Sequence, residues 1–526
     1  MKPLPVLTAL AAVVLFCIGK MAAAESSSPA TAPGDAIFTA ATLPRFQIEI
    51  PDAELPKLRL GGLEYVPATV RIDGVRFQKV GIRLKGRGSF RPVTDKPSLA
   101  VKFDAYQARQ HWLGLPKIML NNASQDTTLL SEYLASVLFH EAGVPAARVT
   151  HALVELNGRD LGFYVLAEAM NKTFLRQHFD NPHGPLYEGY ATDIDQTLDQ
   201  DSGDPSDQSD RKSLVAAAGL PQAERWYHLS RSLDVDRFVS FLAVSVLSAQ
   251  HDSYPLNRNN FRLYREPDTS RFVMLPHGID GSFSQTSMPI EPPRKYLLAR
   301  ALMELPEGQE RYRRRLGDVF TNVFQLERIT NYLRQATERL VLAAADDTER
   351  AARQAAATAM LRRVARRHQN VANQLSGQVT SLVSFGPDQR ATPRGWEMDL
   401  GAGGMAAERL RLDQTETLGL RVEDTSRVVT GSWRTFVALQ PGAYRFVGRV
   451  RVKGISAAAP AGSVGAALRI SGGGSGVQRL AANDEWTALE YRFTVREPGD
   501  IQLVCELRAS QGQAWFELQS LQLVKE

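Results

Sequence analysis

Acidic and amide side chains are concentrated between residues 247 and 284, on two predicted loops that flank a short predicted hairpin. Burying such groups without partners costs several kcal/mol, so polar loops between apolar strands indicate that an ion, a phosphate or a proton is bound there. The candidate side chains are His251, Asp252, Asn257, Asn260, His277 and Asp280.

The spacing of these residues is compatible with phosphoryl transfer. Asp252 and Asn257 have the D-x-x-x-x-N spacing that protein kinases use for a base and a metal-binding amide, although this pattern alone is common by chance. Asp280 precedes Gly281 at the end of an apolar strand, as does the metal-binding Asp of the kinase D-F-G segment. Phosphoryl transfer needs oxygen ligands that hold Mg²⁺ and a carboxylate that orients the attacking hydroxyl.

The elements before this region occur in the order of a two-lobed kinase. Alternating strands from Arg45 include a hairpin turn at Asp73-Gly74 and a strand that carries Lys102. Asp126 is expected to cap a helix that carries Glu132 and begins with TTLLSEY. A strand ending at Glu168 then enters a mainly helical half, in which LDVDRFVSFLAVSVLSAQ leads directly to Asp252. For Lys102 and Glu132 taken singly, a surface lysine and a helix-face glutamate are the simpler interpretations.

A glycine-rich segment, Lys85-Gly86-Arg87-Gly88-Ser89, lies between two of the predicted strands. It is not a Walker A loop. Its small residues and backbone N–H groups could nevertheless cover phosphates.

Many ordered segments from about Phe46 to about Phe283 resemble one family, the CotH-type atypical protein kinases. The segments are VGIRLKGRGSF (the family's R-x-[RK]-G-x-x-S), KPSLAVKF, LLSEYLASVLFHEAGVPA, LNGRDLGFYVLAE, GPLYEG and HDSYPLNRNNFRLYREPDTSRFVMLPHGID. The resemblance implies an ATP- and Mg²⁺-dependent phosphotransferase that acts on Ser or Thr of secreted proteins.

The resemblance also implies roles for individual residues. Asp252 matches the catalytic-loop Asp, and Asp280 matches the metal-binding Asp. Asn260 matches the family's usual amide, whereas Asn257 fits the general kinase spacing, so both stay candidates for the metal. The implied nucleotide-binding residues are Lys102, Glu132, Arg83, Lys85 and Glu168.

One difference from the family supports alternative functions. Many members have W-D-x-D where this chain has His277-Gly278-Ile279-Asp280, so the first carboxylate is missing. A non-catalytic protein of envelope or surface assembly, or a sugar-binding protein, on a degenerate kinase fold is therefore an alternative. A third hypothesis keeps the nucleotide but transfers AMP.

Residues 193–210 contain seven Asp and little apolar pattern. Their spacing does not match the D-x-[DN]-x-[DN]-G calcium loop, so we expect a solvated, disordered insertion. The arginine-rich helices that follow, over residues 295–385, are expected to have solvated faces with Glu–Arg pairs.

The last part of the chain is glycine-rich and β-patterned, with several strands and no helix between them, which predicts a β-sandwich of about 135 residues. In pattern it resembles jelly-roll carbohydrate-binding modules, so a polysaccharide is a candidate partner. Trp433, Trp486 and Trp515 could stack on sugar rings, although a core position is the favoured interpretation. Cys505 lies on the apolar face of a strand and is expected to be a buried, inert thiol.

The predicted fold class is α+β: a two-lobed kinase-like domain followed by an all-β, jelly-roll-like sandwich. Residues 1–24 have the pattern of a signal peptide, 25–44 of a linker, 45–385 of the kinase-like domain (lobes 45–168 and 169–385) and 390–526 of the sandwich. No second apolar run of spanning length follows, so we expect an exported chain, periplasmic, cell-surface or secreted, without a transmembrane segment. The net charge of +5 includes Lys2 and Lys20 of the signal segment, and this small excess does not favour nucleic acid.

Overall fold

The computed structural model describes residues 32–526, apart from 60, 61, 63, 87, 287, 293, 377–384, 400–404, 424–427, 456–462, 474–475 and 497–498. The predicted signal peptide, the first part of the predicted linker and Arg87 of the glycine-rich segment lie outside the described residues. The architecture is α+β. Within the described residues, no helix is both long enough and apolar enough to cross a membrane.

Seven strands close into a barrel in the order β1-β2-β3-β4-β5-β7-β6. The turns at Asp73-Gly74 and Asn157-Gly158 join β2 to β3 and β6 to β7, and the barrel closes through parallel pairing of β1 with β6. Alternate apolar residues of the strands fill the barrel interior, as in β2, where every second residue is buried. The strands are β1 (Arg45–Glu49), β2 (Val66–Ile72), β3 (Val75–Lys85), β4 (Ser98–Lys102), β5 (Lys117–Asn121), β6 (Val149–Leu156) and β7 (Arg159–Glu168).

The helix that carries Glu132 spans Ser131–Glu141 and begins four residues later than the sequence pattern predicts. Leu129 has a φ of 67°, a left-handed conformation that ends helical geometry on its N-terminal side. Leu130 is the N-cap residue, so Asp126 does not occupy the predicted cap position. The Asp126 carboxylate nevertheless accepts hydrogen bonds from the backbone N–H of Thr128 (3.0 Å) and of Ser131 (2.8 Å), the first residue of the helix.

A second sheet, in the order β11-β10-β8-β9, follows the barrel. Its strands are β8 (Leu186–Gly189), β9 (Asp199–Ser202), β10 (Phe261–Arg265) and β11 (Phe272–Pro276). In the β10–β11 hairpin Phe261 pairs with Pro276, and the backbone N–H of His277 donates to the carbonyl of Asn260 at 3.1 Å. The hairpin register therefore brings the two polar loops of the central segment together.

A helical layer surrounds the apolar helix Val235–Leu247, in which every residue except Asp236 and Arg237 is buried. This layer shares a core with the Ser131–Glu141 helix and with residues of β6 and β7 such as Leu153 and Val165. The other helices are Asp35–Phe38, Lys172–His178, Ser209–Gly219, Gln222–Ser232, Tyr254–Asn257, Leu297–Met303, Pro306–Asn322, Leu326–Ala343 and Asp347–Leu375.

The aspartate-rich segment 193–210 is ordered, so the expectation of a disordered insertion is wrong. It contains β9, and Ile194 and Leu198 are buried. Asp193 accepts hydrogen bonds from the Tyr254 hydroxyl and the Leu297 backbone N–H, each at 2.8 Å. The first contact ties the segment to the short helix Tyr254–Asn257 that follows Asp252, and the second ties it to the start of the helix Leu297–Met303.

Residues 390–525 form two antiparallel sheets around a separate apolar core, the arrangement of a β-sandwich. Cys505 and Trp433 lie in this core, and the Trp433 indole N–H donates to the carbonyl of Gly419 at 3.0 Å, whereas Trp486 and Trp515 are half-buried. The strands are β12 (Arg390–Ala391), β13 (Glu397–Asp399), β14 (Met405–Leu412), β15 (Thr415–Val422), β16 (Val429–Leu439), β17 (Gly442–Lys453), β18 (Gly465–Ile470), β19 (Thr487–Val495), β20 (Gly499–Ala509), β21 (Gly512–Glu517) and β22 (Gln522–Lys525).

Candidate functional site

A cleft of about 700 Å³ lies where the barrel meets the second sheet and the two polar loops. Strands β3 and β5, the end of β7 and the Ser131–Glu141 helix contribute one wall, and β8, β9 and the loops contribute the other. The sequence-predicted residues that line it are Arg83, Lys85, Glu132, Glu168, Asp252, Asn260, His277 and Asp280, together with Gly86, Gly88 and Ser89 of the glycine-rich segment.

Asp252 is held by three asparagine amides. Its Oδ1 accepts from Nδ2 of Asn257 at 2.5 Å, and its Oδ2 accepts from Nδ2 of Asn259 at 2.9 Å and of Asn260 at 2.8 Å. Asn259 also accepts from the backbone N–H of Ala191 at 3.1 Å, which connects Asp252 to the loop after β8. Three amide donors on one carboxylate fix its orientation.

Asn260 and Gly278 are in close contact. Both have left-handed backbone conformations, with φ of 53° and 54°. A Cβ atom on Gly278 would lie 2.5 Å from the Asn260 Oδ1 atom. The space that a side chain at position 278 would need is therefore filled by the Asn260 amide, whose nitrogen donates to Asp252.

A series of side-chain hydrogen bonds joins the barrel to the Ser131–Glu141 helix. Lys85, at the end of β3, donates to the Oδ1 atom of Asn121 at the end of β5. The Asn121 amide nitrogen donates to both carboxylate oxygens of Glu132, at 2.9 and 2.8 Å. The lysine and the helix glutamate are therefore connected through an amide, and Asn121 is a site residue that the sequence pattern does not reveal.

Burial and neighbouring charges shift the pKa values of this group. Burial, together with the charge of Asp280, raises the pKa of Glu132 to about 7. Burial also raises the pKa of Asp280, which the Lys85 charge partly offsets. Burial lowers the pKa of Lys85, against the charges of Glu132 and Asp280. The three groups interact, so a cation placed between the carboxylates would favour their ionised forms.

An ion network around the buried Arg262 of β10 lies on the opposite wall of the cleft. Arg262 donates to Glu188 at 2.6 Å and also to Asp201, and His277 Nε2 lies 3.6 Å from Glu188. Burial raises the pKa of Glu188, but the charges of Arg262, His277 and Lys85 outweigh it and lower that pKa to about 2. Burial and Arg262 lower the pKa of His277 to about 4. Neither Glu188 nor Arg262 is predicted from its residue type and spacing to have a role, although both fall in segments that resemble the family.

Lys102 does not line the cleft, unlike Lys85. Its Nζ lies 5.9 Å from the centre of the Tyr65 ring, over which Arg83 also lies. Glu168 does line the cleft, but its carboxylate is bound by Arg148 at 2.8 and 2.9 Å and by Gln177 at 2.9 Å. The structure thus brings Lys85, Glu132, Asp252, Asn260 and Asp280 into one cleft and leaves Lys102 at its margin.

The residues present fit a Mg²⁺–nucleotide complex. Within the described residues, no group of three or more Asp, Glu, His or Cys side chains is placed to hold a metal alone. Mg²⁺ commonly needs only one or two protein carboxylates, because phosphates and water complete its octahedron. Asp280 and the Asn260 or Asn257 amide are oxygen donors of the right chemistry, and Lys85 supplies positive charge for the phosphates.

Comparison with known proteins identifies a family. The family described as "CotH kinase protein" matches residues 82–390. The "Inner spore coat protein H" of Bacillus subtilis is 22% identical over 326 residues, which cover 57% of this chain and 87% of that protein. The "Invasin CotH3" of Rhizopus delemar is 25% identical over 192 residues, 31% of each chain.

Two solved structures are similar to parts of the chain. The Helicobacter pylori proinflammatory kinase CtkA covers 60% of this chain and 95% of its own, at 8% identity and a TM-score of 0.26. The carbohydrate-binding module TmCBM61, solved with β-1,4-galactotriose, covers 27% and 91%, at 14% identity and a TM-score of 0.19. At such low TM-scores neither similarity supports a conclusion about this chain.

Proposed function

The chain belongs to the CotH kinase protein family, and from this premise we propose that it transfers the γ-phosphate of ATP to Ser or Thr of a secreted or cell-envelope protein. In this proposal the barrel and the helical layer act as the two lobes of an atypical kinase, with ATP and Mg²⁺ in the cleft between them. The names of its relatives, a spore coat protein and an invasin, fit an exported or surface location.

The observation that carries the proposal is the shared cleft of Asp252, Asp280 and the Lys85–Asn121–Glu132 chain. Asp252 would orient the acceptor hydroxyl and accept its proton as the oxygen attacks the γ-phosphorus, while the bond from that phosphorus to the bridging oxygen breaks and ADP leaves. Asp280 and Asn260 would hold Mg²⁺, and Lys85 would neutralise the α- and β-phosphates. Gly86, Gly88 and Ser89 would bring backbone N–H groups over them.

The roles of four other predicted residues are narrower in this proposal. Asn257 is one of the three asparagines that hold Asp252, and because its side chain is exposed we assign the metal to Asn260 first. Glu168 would border the nucleotide with its backbone, because its carboxylate is bound to Arg148. Arg83 and Lys102 lie farther along the barrel, beside Tyr65.

The test is transfer of labelled γ-phosphate by the purified full chain, with Mg²⁺, to itself and to dephosphorylated casein. Asp252→Asn and Asp280→Asn should each reduce the label by roughly 100-fold or more, because each removes a group that acts on the reacting atoms. Asp236→Asn is the matched control, since that side chain is 81% exposed and should change nothing. Equal label in the wild type and both site variants would overturn the proposal.

Two alternatives are distinguished by the same preparation. The missing carboxylate at Gly278 favours a non-catalytic binding protein, which would bind no Mg²⁺–ATP in calorimetry. Transfer of AMP instead of phosphate would appear in the mass of the modified peptides.

A polysaccharide partner of the β-sandwich would bind through Trp486 and Trp515, since Trp433 lies in the core.

A further inference from the structure

Three cationic side chains on neighbouring barrel strands surround the ring of Tyr65. The Cζ atom of Arg83 on β3 lies 5.1 Å from the ring centre, and the Nζ atoms of Lys102 on β4 and Lys117 on β5 each lie 5.9 Å from it. Lys102 and Lys117 are directly opposite in the β4–β5 register, so both side chains project from the same face. We call Tyr65, Arg83, Lys102 and Lys117 the Tyr65 cluster.

Tyr65 packs against β3 of the barrel beside Gly81, and its hydroxyl is buried. Gly81 lies beside Lys102 in the β3–β4 register, and a Cβ atom on Gly81 would come within 3.0 Å of the Tyr65 side chain. The Ala105 Cβ would lie even closer, at 2.5 Å, so the missing side chain at Gly81 leaves room for both Ala105 and Tyr65. The Tyr65 hydroxyl is buried and has no hydrogen-bond partner among the described residues. A buried hydroxyl without a partner is costly, so this atom is available to donate to a ligand.

The two lysines of the Tyr65 cluster have no close carboxylate partner in the described part of the chain. Neither Nζ atom lies within 4.0 Å of a carboxylate oxygen, and the nearby Asp201 is bound by Arg262. Asp104 is the other neighbouring carboxylate that acts on Tyr65. Burial, with the charges of Arg83 and Arg262, lowers the pKa of Lys117 to about 8. Like charges held together in a half-buried place repel one another, and a bound anion would relieve that repulsion.

We propose that the Tyr65 cluster binds acidic side chains of the protein acceptor, which makes the chain selective for Ser or Thr flanked by Asp or Glu. This inference rests on the proposed kinase function. Lys85 interacts with the charges of Glu132 and Asp280, and in the proposed function it serves the nucleotide. Arg83 and Lys117 line the cleft, whereas Lys102 lies outside it. The cluster therefore runs from the cleft to its margin, as a site for an entering polypeptide should.

The experiment measures binding directly, by fluorescence anisotropy of a labelled Ser peptide with Glu on both sides, against the same peptide with Gln. The full chain should bind the Glu peptide more tightly. K102Q/K117Q should bind it roughly tenfold more weakly, since each lysine would form one partly buried ion pair. K212Q/K525Q removes the same charge from two exposed sites and should bind as the wild type does.

Further outcomes distinguish a failure of this proposal from a failure of the proposed kinase function. Loss of Mg²⁺–ATP affinity in K102Q/K117Q, with peptide binding unchanged, would assign the cluster to the nucleotide and overturn the proposal. Equal affinity of the wild type for the Glu and Gln peptides would also overturn it. If the double variant does not fold, Lys102→Gln alone, at a half-buried position, should weaken the Glu peptide severalfold. Peptide binding is measured without ATP and does not depend on phosphate transfer. An absence of transfer by the wild type would refute the proposed kinase, and the Glu and Gln peptides would still show whether the Tyr65 cluster binds acidic side chains.

Discussion

Gly278 shows how one residue can decide the composition of a site. Its backbone is left-handed, and the space that a side chain would need is filled by the Asn260 amide. A carboxylate at this position would displace Asn260 from Asp252. We therefore interpret Gly278 and the three asparagines that bind Asp252 as one arrangement, in which amide groups take the place of a second acidic side chain.

We predict that Gly278→Ala lowers the unfolding free energy by more than the cost of placing an alanine in a left-handed backbone conformation. An alanine in a left-handed conformation costs about 1 kcal/mol, and the close contact with Asn260 adds to this cost. Gly74→Ala is the matched control, because Gly74 also has a positive φ of 86° but no atom lies within 4 Å of the position that its Cβ would take. Urea unfolding should give the larger loss for Gly278→Ala, and equal losses would show that Asn260 moves aside freely.

Glu132 should make the stability of the protein depend on pH. Its folded pKa of about 7 lies above the ordinary value of 4.5, so the folded state binds its proton more tightly than the unfolded state does. The stabilising contribution is complete below about pH 4.5 and is lost as the pH rises through about 7. Glu132→Gln should therefore gain stability relative to the wild type between these two pH values.

The measurement is the difference in unfolding free energy between wild type and Glu132→Gln at several pH values. The difference is needed because His277, whose folded pKa is about 4, contributes the opposite slope in the same range. Glu188 does not interfere, since its folded pKa of about 2 places its own change below this window. A difference that stays constant from pH 4.5 to about pH 7 would contradict the prediction.

At the scale of elements, strands and turns could be predicted from the sequence, but their register could not. Alternation and the Asp73-Gly74 and Asn157-Gly158 turns locate the barrel strands. Which lysine faces the cleft depends on how β3, β4 and β5 are aligned, and that alignment places Lys85 beside Asn121 and Lys102 beside Lys117. A long-range amide such as Asn121 has no local pattern by which to be found.

The end of β7 is held by an ion pair whose loss should be severe. The Glu168 side chain is 1% exposed, and Arg148 binds it and also Asp35, at 2.6 Å. Arg148→Met leaves a buried carboxylate without its main partner, so we expect a loss of roughly 3 kcal/mol or more in unfolding free energy. Thermal and urea unfolding would measure this loss.

An exposed pair provides the comparison. Arg334 and Glu338 are 58% and 61% exposed, and Arg334→Met should cost less than about 0.5 kcal/mol. The double variant Arg148→Met, Glu168→Gln should recover part of the stability, because Gln keeps the contact with Gln177 without the charge. Similar losses for the buried and the exposed arginine would contradict the assignment of Arg148 as a charge partner.

At the scale of the molecule, the β-sandwich has its own core, and no helix or strand of the described residues 32–375 packs extensively against a strand of 390–525. Arg366 does lie over the Phe436 ring, at 4.6 Å, but such a contact is worth only about 1 kcal/mol. The composition change after the last long helix predicts a division at this point, whereas the contact between Arg366 and Phe436 depends on long-range placement and has no local sequence signal.

We predict that the chain unfolds in two calorimetric transitions and that Mg²⁺–ATP shifts one of them. A ligand at about 100 times its Kd stabilises the part that binds it by about 2.7 kcal/mol, which raises Tm by several degrees. Because Asp280 and Lys85 lie outside the sandwich core, the sandwich transition should not move. ATP with a chelator, or Mg²⁺–ATP with Asp280→Asn, should give little shift. A single transition, or an equal shift of both, would show that the two cores are coupled and would contradict the independent arrangement.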